Sequence, residues 1–264
     1  MTIRDMQIEF ERRLQTFDKT ELGVNKLTSD TILAFINEAT DKFVKTRYSG
    51  LNTKYQGFEQ SQKRIDDLRT LVVAQEYLTV ATGNVDTFDT NVHDLNVGDE
   101  TLETRRARTY MVVVPDDYLL LLGDTAYIGS YPADSNDCWE KDANDKDVLK
   151  ATDTLESTIE TIDRQIADPL SEFHMKYCQA RPLKLIRGNK IYLYTDDDYQ
   201  IGGYRMTYLK QPHKWVNQDI LDQKPCDLPD HTCIEIVKIA VELYMVTKPV
   251  GQYNSYTGEV QTME

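Results

Sequence analysis

Carboxylates are the residues whose type and crowding could do chemistry. Asp116-Asp117 and Asp196-Asp197-Asp198 have the composition of a divalent-cation site, which a metal-dependent nuclease or processing factor would use. Pro115-Asp116 also opens a Pro-Asp…(Asp/Glu)-x-Lys order. The only Asp-x-Lys, however, is Asp222-Gln223-Lys224, in a loop-like stretch. An acidic turn accounts for the triplet more simply, because carboxylates favour turns and discourage edge pairing. Cys226, His231 and Cys233, flanked by Asp227 and Asp230, gather zinc-ligand types at a spacing that matches no structural zinc signature. No catalytic triad is legible around His93, His174 and His213. A Gly-rich phosphate loop, HExxH, GxSxG and CxxC are all missing from the sequence. The expectation is a protein that is not an enzyme, with no catalytic residue, cofactor or metal.

The elements that would position any site are clearer. Asp227 to Val246 reads as a helix apolar around most of its perimeter, with Glu235, Lys238 and Glu242 as one narrow polar stripe. Asp227 is the expected N-cap, with Pro229 in the first turn. Ile236, Ile239 and Leu243 are its expected assembly face. Ile3, Met6, Phe10, Leu14 and Phe17 predict a helix over 3–17. Ile32, Phe35, Ile36, Ala39 and Phe43 predict another over 30–47, capped within Thr28-Ser29-Asp30. A third, over 58–68, turns Phe58, Ile65 and Leu68 inward and Lys63, Arg64, Asp66 and Asp67 outward. Residues 154–168 resume a helical pattern, and a short helical turn is expected from Pro115 through Leu122, stopped at Gly123.

Extended segments are expected at 71–73, 77–80, 105–114 and 125–129. Three strands follow at 183–187, 190–194 and 204–209, with Gly188-Asn189 turning the first hairpin. Tyr192, Tyr194, Tyr204, Met206 and Tyr208 alternate as a half-buried sheet requires. The fold class is α+β: a helical scaffold with a small antiparallel sheet, read as a single domain over 1–247. Polar, acidic stretches near 84–100 and 131–150 are surface insertions. Residues 248–264 form an extended C-terminal arm. That arm is too polar to offset its own ordering entropy, so Pro249, Tyr253, Tyr256 and Val260 are expected to engage a partner.

Bulk properties set the outer limits. The chain has 264 residues and a formal charge of −14, with carboxylates spread throughout. Tight gripping of nucleic acid needs clustered Lys and Arg, which the chain lacks. An acidic wall past which DNA slides remains compatible. No apolar run reaches the ~20 residues of a membrane span, and the first residues contain no apolar core of a secretory signal. Cys138, Cys178, Cys226 and Cys233 follow no framework spacing and are expected as thiols in a reducing compartment.

Four stretches resemble a family. LTSDTILAFINEATDKFVKTRYSG at 27–50, GFEQSQKRIDDLRTLV at 57–72, VPDDYLLLL at 114–122 and CDLPDHTCIEIVKIAVELYM at 226–245 are similar to segments of head-to-tail connector proteins of short-tailed bacteriophages, especially crAss-like phages. The resemblance implies a virion protein assembled in the host cytoplasm. It would be a subunit of a homo-oligomeric ring, dodecameric in the family, beneath the capsid portal protein. The implied partners are the portal, further connector or tail proteins, and DNA passing through the channel without specific binding.

Overall fold

The computed structural model describes residues 1–17, 27–49, 62–78, 107–130, 149–168, 170, 180–196 and 199–247. Both expected insertions, apart from residues 149–150, and the C-terminal arm lie outside the described residues, as do Phe58, Cys138 and Cys178. The fold is α+β and divides into two compact units, one of residues 1–72 with 211–264 and one of residues 73–210.

The first unit is helical. Helix α1 (Ile3–Phe17) keeps the predicted bounds and buries Ile3, Met6, Phe10 and Leu14. Its start is fixed by a reciprocal cap, in which Asp5 N–H donates to Thr2 Oγ1 and Thr2 N–H to Asp5 Oδ2. Helix α2 (Ser29–Ser49) is capped by Thr28, whose Oγ1 accepts from Thr31 N–H, and buries Ile32, Ile36, Ala39 and Phe43. Helix α3 (Gln62–Leu68) leads through a 3-10 turn into the sheet unit. Among the described residues two further helices belong to this unit, α5 (Asn217–Leu221) and α6 (Asp230–Val246), the first of which the sequence pattern missed. Asp227 is not the N-cap of α6, because its Oδ2 accepts His213 N–H at 3.0 Å and Pro229 occupies the cap position.

Helix α6 packs against α1 and α2. Tyr244 meets Phe10 and Phe35 edge-on, with ring centroids at 6.2 and 5.6 Å. Ile236, Val237, Ala240 and Val241 are fully buried, and each of the branched side chains contributes about 1.5–3 kcal/mol.

The second unit is two four-stranded sheets sharing one core. One sheet runs β1 (Val72–Leu78), β8 (Tyr199–Lys210), β3 (Tyr118–Ser130), β4 (Lys150–Thr152). The other runs β2 (Ala107–Val113), β7 (Lys190–Asp196), β6 (Leu183–Arg187), β5 (Leu155–Glu156). Pairing between β5 and β6 is parallel, while the β2–β7, β3–β4, β3–β8 and β6–β7 ladders are antiparallel. Gly188, with φ at 62°, supplies the left-handed position of the β6–β7 turn. Tyr110 and Val112 of β2, Ala126 and Ile128 of β3, Ile191 and Leu193 of β7, and Tyr204, Met206 and Tyr208 of β8 fill the core between the sheets.

Two predicted helical segments are corrected. Tyr118 to Leu122 is strand, not a helical turn, because the leucine run pairs with β8 through register shifts on either side of Leu120 and Leu121. Bulges erase the alternation by which a strand is recognised. Of the helix expected over 154–168, only the short α4 (Ile162–Ala167) forms, since Leu155 and Glu156 are drawn into pairing with β6. A third bulge, at Gly202, reverses the parity of β8. Tyr199 and Ile201 point inward before it, and Tyr204, Met206 and Tyr208 after it.

Candidate functional site

Helix α6 is the candidate assembly element, and its faces differ from the sequence expectation. Ile236 is fully buried, but Ile239 and Leu243 are only half-buried, and Val246 is 57% exposed. These last three are spaced i, i+4, i+7 and form a half-open apolar strip along the C-terminal half of the helix. The cause is that α1 and α2 cover the neighbouring faces and leave this one partly uncovered among the described residues. Pro249, Tyr253, Tyr256 and Val260 of the expected arm lie outside the described residues.

The polar stripe is occupied by charged neighbours. Glu235 pairs with Arg47 and has Lys63 Nζ at 3.6 Å; Glu242 has Lys42 Nζ at 3.8 Å. Behind it lies a buried network the sequence reading did not anticipate. Arg47 Nε stands 3.1 Å from Asp67 Oδ2, and Asp67 Oδ1 lies 3.0 Å from His231 Nε2. The Arg47 guanidinium also covers the Phe43 ring at 4.8 Å. Asp67 and Arg64, expected outward, are 0% and 2% exposed. The signal for this was present. Arg47 continues the Ile36-Phe43 stripe one turn on, and Arg64, Asp67, Leu68 and Leu71 follow i, i+3, i+4, i+7. Treating charge as necessarily solvent-facing hid it.

A second buried cluster, centred on the anion Asp219, supports the approach to α6. Asp219 accepts from Val216 N–H at 2.9 Å and faces Lys224 Nζ at 2.6 Å and His213 Nε2 at 3.0 Å. Lys224, then the Val216 amide, hold this carboxyl well below the usual carboxylate range. The Asp-x-Lys candidate is thereby accounted for, since its lysine serves Asp219 in the tight turn where Gln223 takes a φ of 50°.

The other carboxylate candidates are not brought together. Val113 pairs with Lys190 at one end of the β2–β7 ladder and Ala107 with Asp196 at the other. Asp116 and Asp117 follow the Val113 end, so Asp196 lies about 20 Å away along the strand, at ~3.3 Å per residue. Asp197 and Asp198 lie outside the described residues. Asp117 instead accepts from Tyr208 Oη at 2.8 Å. Burial, and then that bond, push the Tyr208 phenol up to about 12.

The zinc-ligand candidates also disperse. His231 turns to Asp67, Asp227 to the His213 amide, and Asp230 to the Met1 ammonium, leaving Cys226 and Cys233 with each other. Among the described residues no group of three or more His, Cys, Asp or Glu side chains is placed to hold a metal ion.

Among the described residues the sheet unit also buries a polar cluster that the sequence did not lead one to expect. Asp124 on β3 accepts from Lys184 Nζ of β6 at 2.8 Å, from Tyr204 Oη of β8 at 2.8 Å, and from Thr154 Oγ1. The lysine crosses from one sheet to the other, so the cluster fixes how the two sheets face each other. Burial, then the Asp124 charge, push the Tyr204 phenol far above its ordinary value and keep it a hydrogen-bond donor.

Comparison with known proteins finds no matching family model and no matching curated protein. Among the described residues no helix is long and apolar enough to cross a membrane.

Proposed function

We propose that this chain is a structural virion protein, a subunit of the ring below the capsid portal that joins head to tail and continues the DNA channel. One observation supports this most. Three of the four segments that resemble connector proteins, at 27–50, 57–72 and 226–245, supply α2, α3 and α6. These helices lie in one unit and are tied by the Arg47–Asp67–Glu235 network, though up to about 200 residues apart in sequence. The half-open Ile239–Leu243–Val246 strip offers apolar area for a side-to-side contact of the kind a closed ring repeats. A formal charge of −14 suits a lumen that DNA crosses without sticking.

In this reading the chain forms a homo-oligomeric ring, dodecameric as in the resembling family, and binds the portal protein on one side and further connector or tail proteins on the other. The test is native mass spectrometry and electron microscopy of the purified chain with and without portal. A closed ring, alone or on the portal, is expected. Deleting Gln252 to Glu264 should leave melting unchanged and impair attachment to the partner ring. A chain that stays monomeric at assembly concentrations with portal present would sink the proposal.

A further inference from the structure

The Asp124–Lys184 pair is placed for a reaction that the ring reading does not use. Asp124 stands opposite Met206 in the β3–β8 ladder, and Lys184 opposite Leu193 in the β6–β7 ladder. Met206 and Leu193 are core residues at 0% exposure, so the two charged side chains meet inside the sheet unit. Lys184 Nζ lies 2.8 Å from Asp124 Oδ1. One carbon–oxygen bond separates Oδ1 from the carboxyl carbon, so Nζ is within about 4 Å of that carbon.

The two carboxyl oxygens have different partners. Oδ1 faces the amine, whereas Oδ2 accepts from the Tyr204 and Thr154 hydroxyls. Two donors fixed on one oxygen are the arrangement that stabilises the negative charge of a tetrahedral intermediate. Tyr204 suits that task because burial, then the Asp124 charge, keep its phenol protonated. Oδ1, beside the amine protons, is the oxygen placed to leave.

We infer that Lys184 and Asp124 condense after folding into an isopeptide bond, with Tyr204 and Thr154 as the oxyanion site. The bond joins β6 of one sheet covalently to β3 of the other. Lys184 Nζ first passes one proton to Oδ1, which removes both charges from a site closed to water. The neutral amine then attacks the carboxyl carbon, and negative charge collects on Oδ2. Nζ gives a second proton to Oδ1 as that carbon–oxygen bond breaks, and Oδ1 departs as water. One ammonium and one carboxylate become one amide and one water, with no redox change and no co-reactant. Fixed proximity replaces a bimolecular encounter, and the closed site keeps water from reversing the step. Until the step occurs the pair is the ion pair described above; the competing account is that it stays one.

The full-length chain is purified folded, sampled over days, denatured and weighed intact. The expected mass is lighter than the sequence by one water. Tryptic mapping should show the peptides carrying Asp124 and Lys184 joined, with cleavage after Lys184 lost. Lys184→Arg should keep the full mass, and Tyr204→Phe should slow linkage about 100-fold. If either variant fails to fold, the wild-type mass and peptide map decide alone. A folded wild-type chain that retains its full mass, a lost water that maps elsewhere, or linkage equally fast in folded Tyr204→Phe would each overturn the inference. None of these outcomes depends on whether the chain forms a ring.

Discussion

The Arg47 cluster of the helical unit and the Asp124 cluster of the sheet unit are built with opposite polarity. In the helical unit the hub is a cation: Arg47 serves two carboxylates, Asp67 and Glu235. In the sheet unit the hub is an anion: Asp124 serves the Lys184 ammonium and two neutral hydroxyls. The helical cluster opens towards water through Lys63 and His231, whose side chains are 50% and 55% exposed. The sheet cluster is closed, with Lys184 and Asp124 side chains at 6% and 9%. A buried ion pair is often no better than an apolar pair, but removing one partner strands the other. The difference between the clusters therefore lies in what each deletion would strand.

Removing the helical hub should have the larger effect. Arg47→Met leaves Asp67 buried with, among the described residues, His231 as its remaining partner, and Glu235 with the half-exposed Lys63, so about 3–5 kcal/mol should be lost in urea unfolding. Arg47→Lys should not restore it, because a single ammonium cannot span both carboxylates as the guanidinium does. In the sheet unit, Lys184→Met leaves Asp124 with two hydroxyl donors, and about 2–3 kcal/mol should be lost. Equal or reversed losses would show that burial, not hub polarity, sets the cost.

The smallest effect is an alkaline one in the sheet unit. The folded chain holds the Tyr208 proton more tightly than the unfolded chain, with a pKa of about 12 against 10.0. The stability contributed by this group is therefore complete below about pH 10 and lost as pH rises towards about 12. Melting curves across that window should fall less steeply for Tyr208→Phe than for the wild type.

Much of the helical unit was legible because its apolar residues recur on a helical period, as with Ile3-Met6-Phe10-Leu14 and Ile32-Ile36-Ala39-Phe43. The β6–β7 hairpin was legible through Gly188-Asn189 and alternation on either side. The leucine run at 119–122 was not, since bulges remove the period-two signal and leave a pattern with good intrinsic helix propensity. Residues 154–161 misled for a related reason. Long-range pairing of Leu155 with Leu183 overrode a local helical spacing. Within the candidate site, Ile236 was expected on one assembly face with Ile239 and Leu243, and it is fully buried inside its own unit. The exposure of Ile239 and Leu243 depended on which faces α1 and α2 cover, which one helix's own periodicity does not encode. Arg47, Asp67 and Asp124 escaped notice because a charge is assigned to the surface until its partner, distant in sequence, is known.

The helical unit is split by the sheet unit, and this has a consequence for biosynthesis. A ribosome delivers α1, α2 and α3 first and α6 only after roughly 160 further residues, about 8–32 s later at 5–20 residues per second. During that interval the faces bearing Phe10, Phe35 and Phe43 lack their principal partner, and Arg47 lacks Glu235. Residues 73–210, by contrast, form a contiguous stretch that can condense as soon as β8 emerges. The order of emergence therefore makes the sheet the first half to finish, and leaves the earliest-made helices as the nascent segment most in need of chaperone cover.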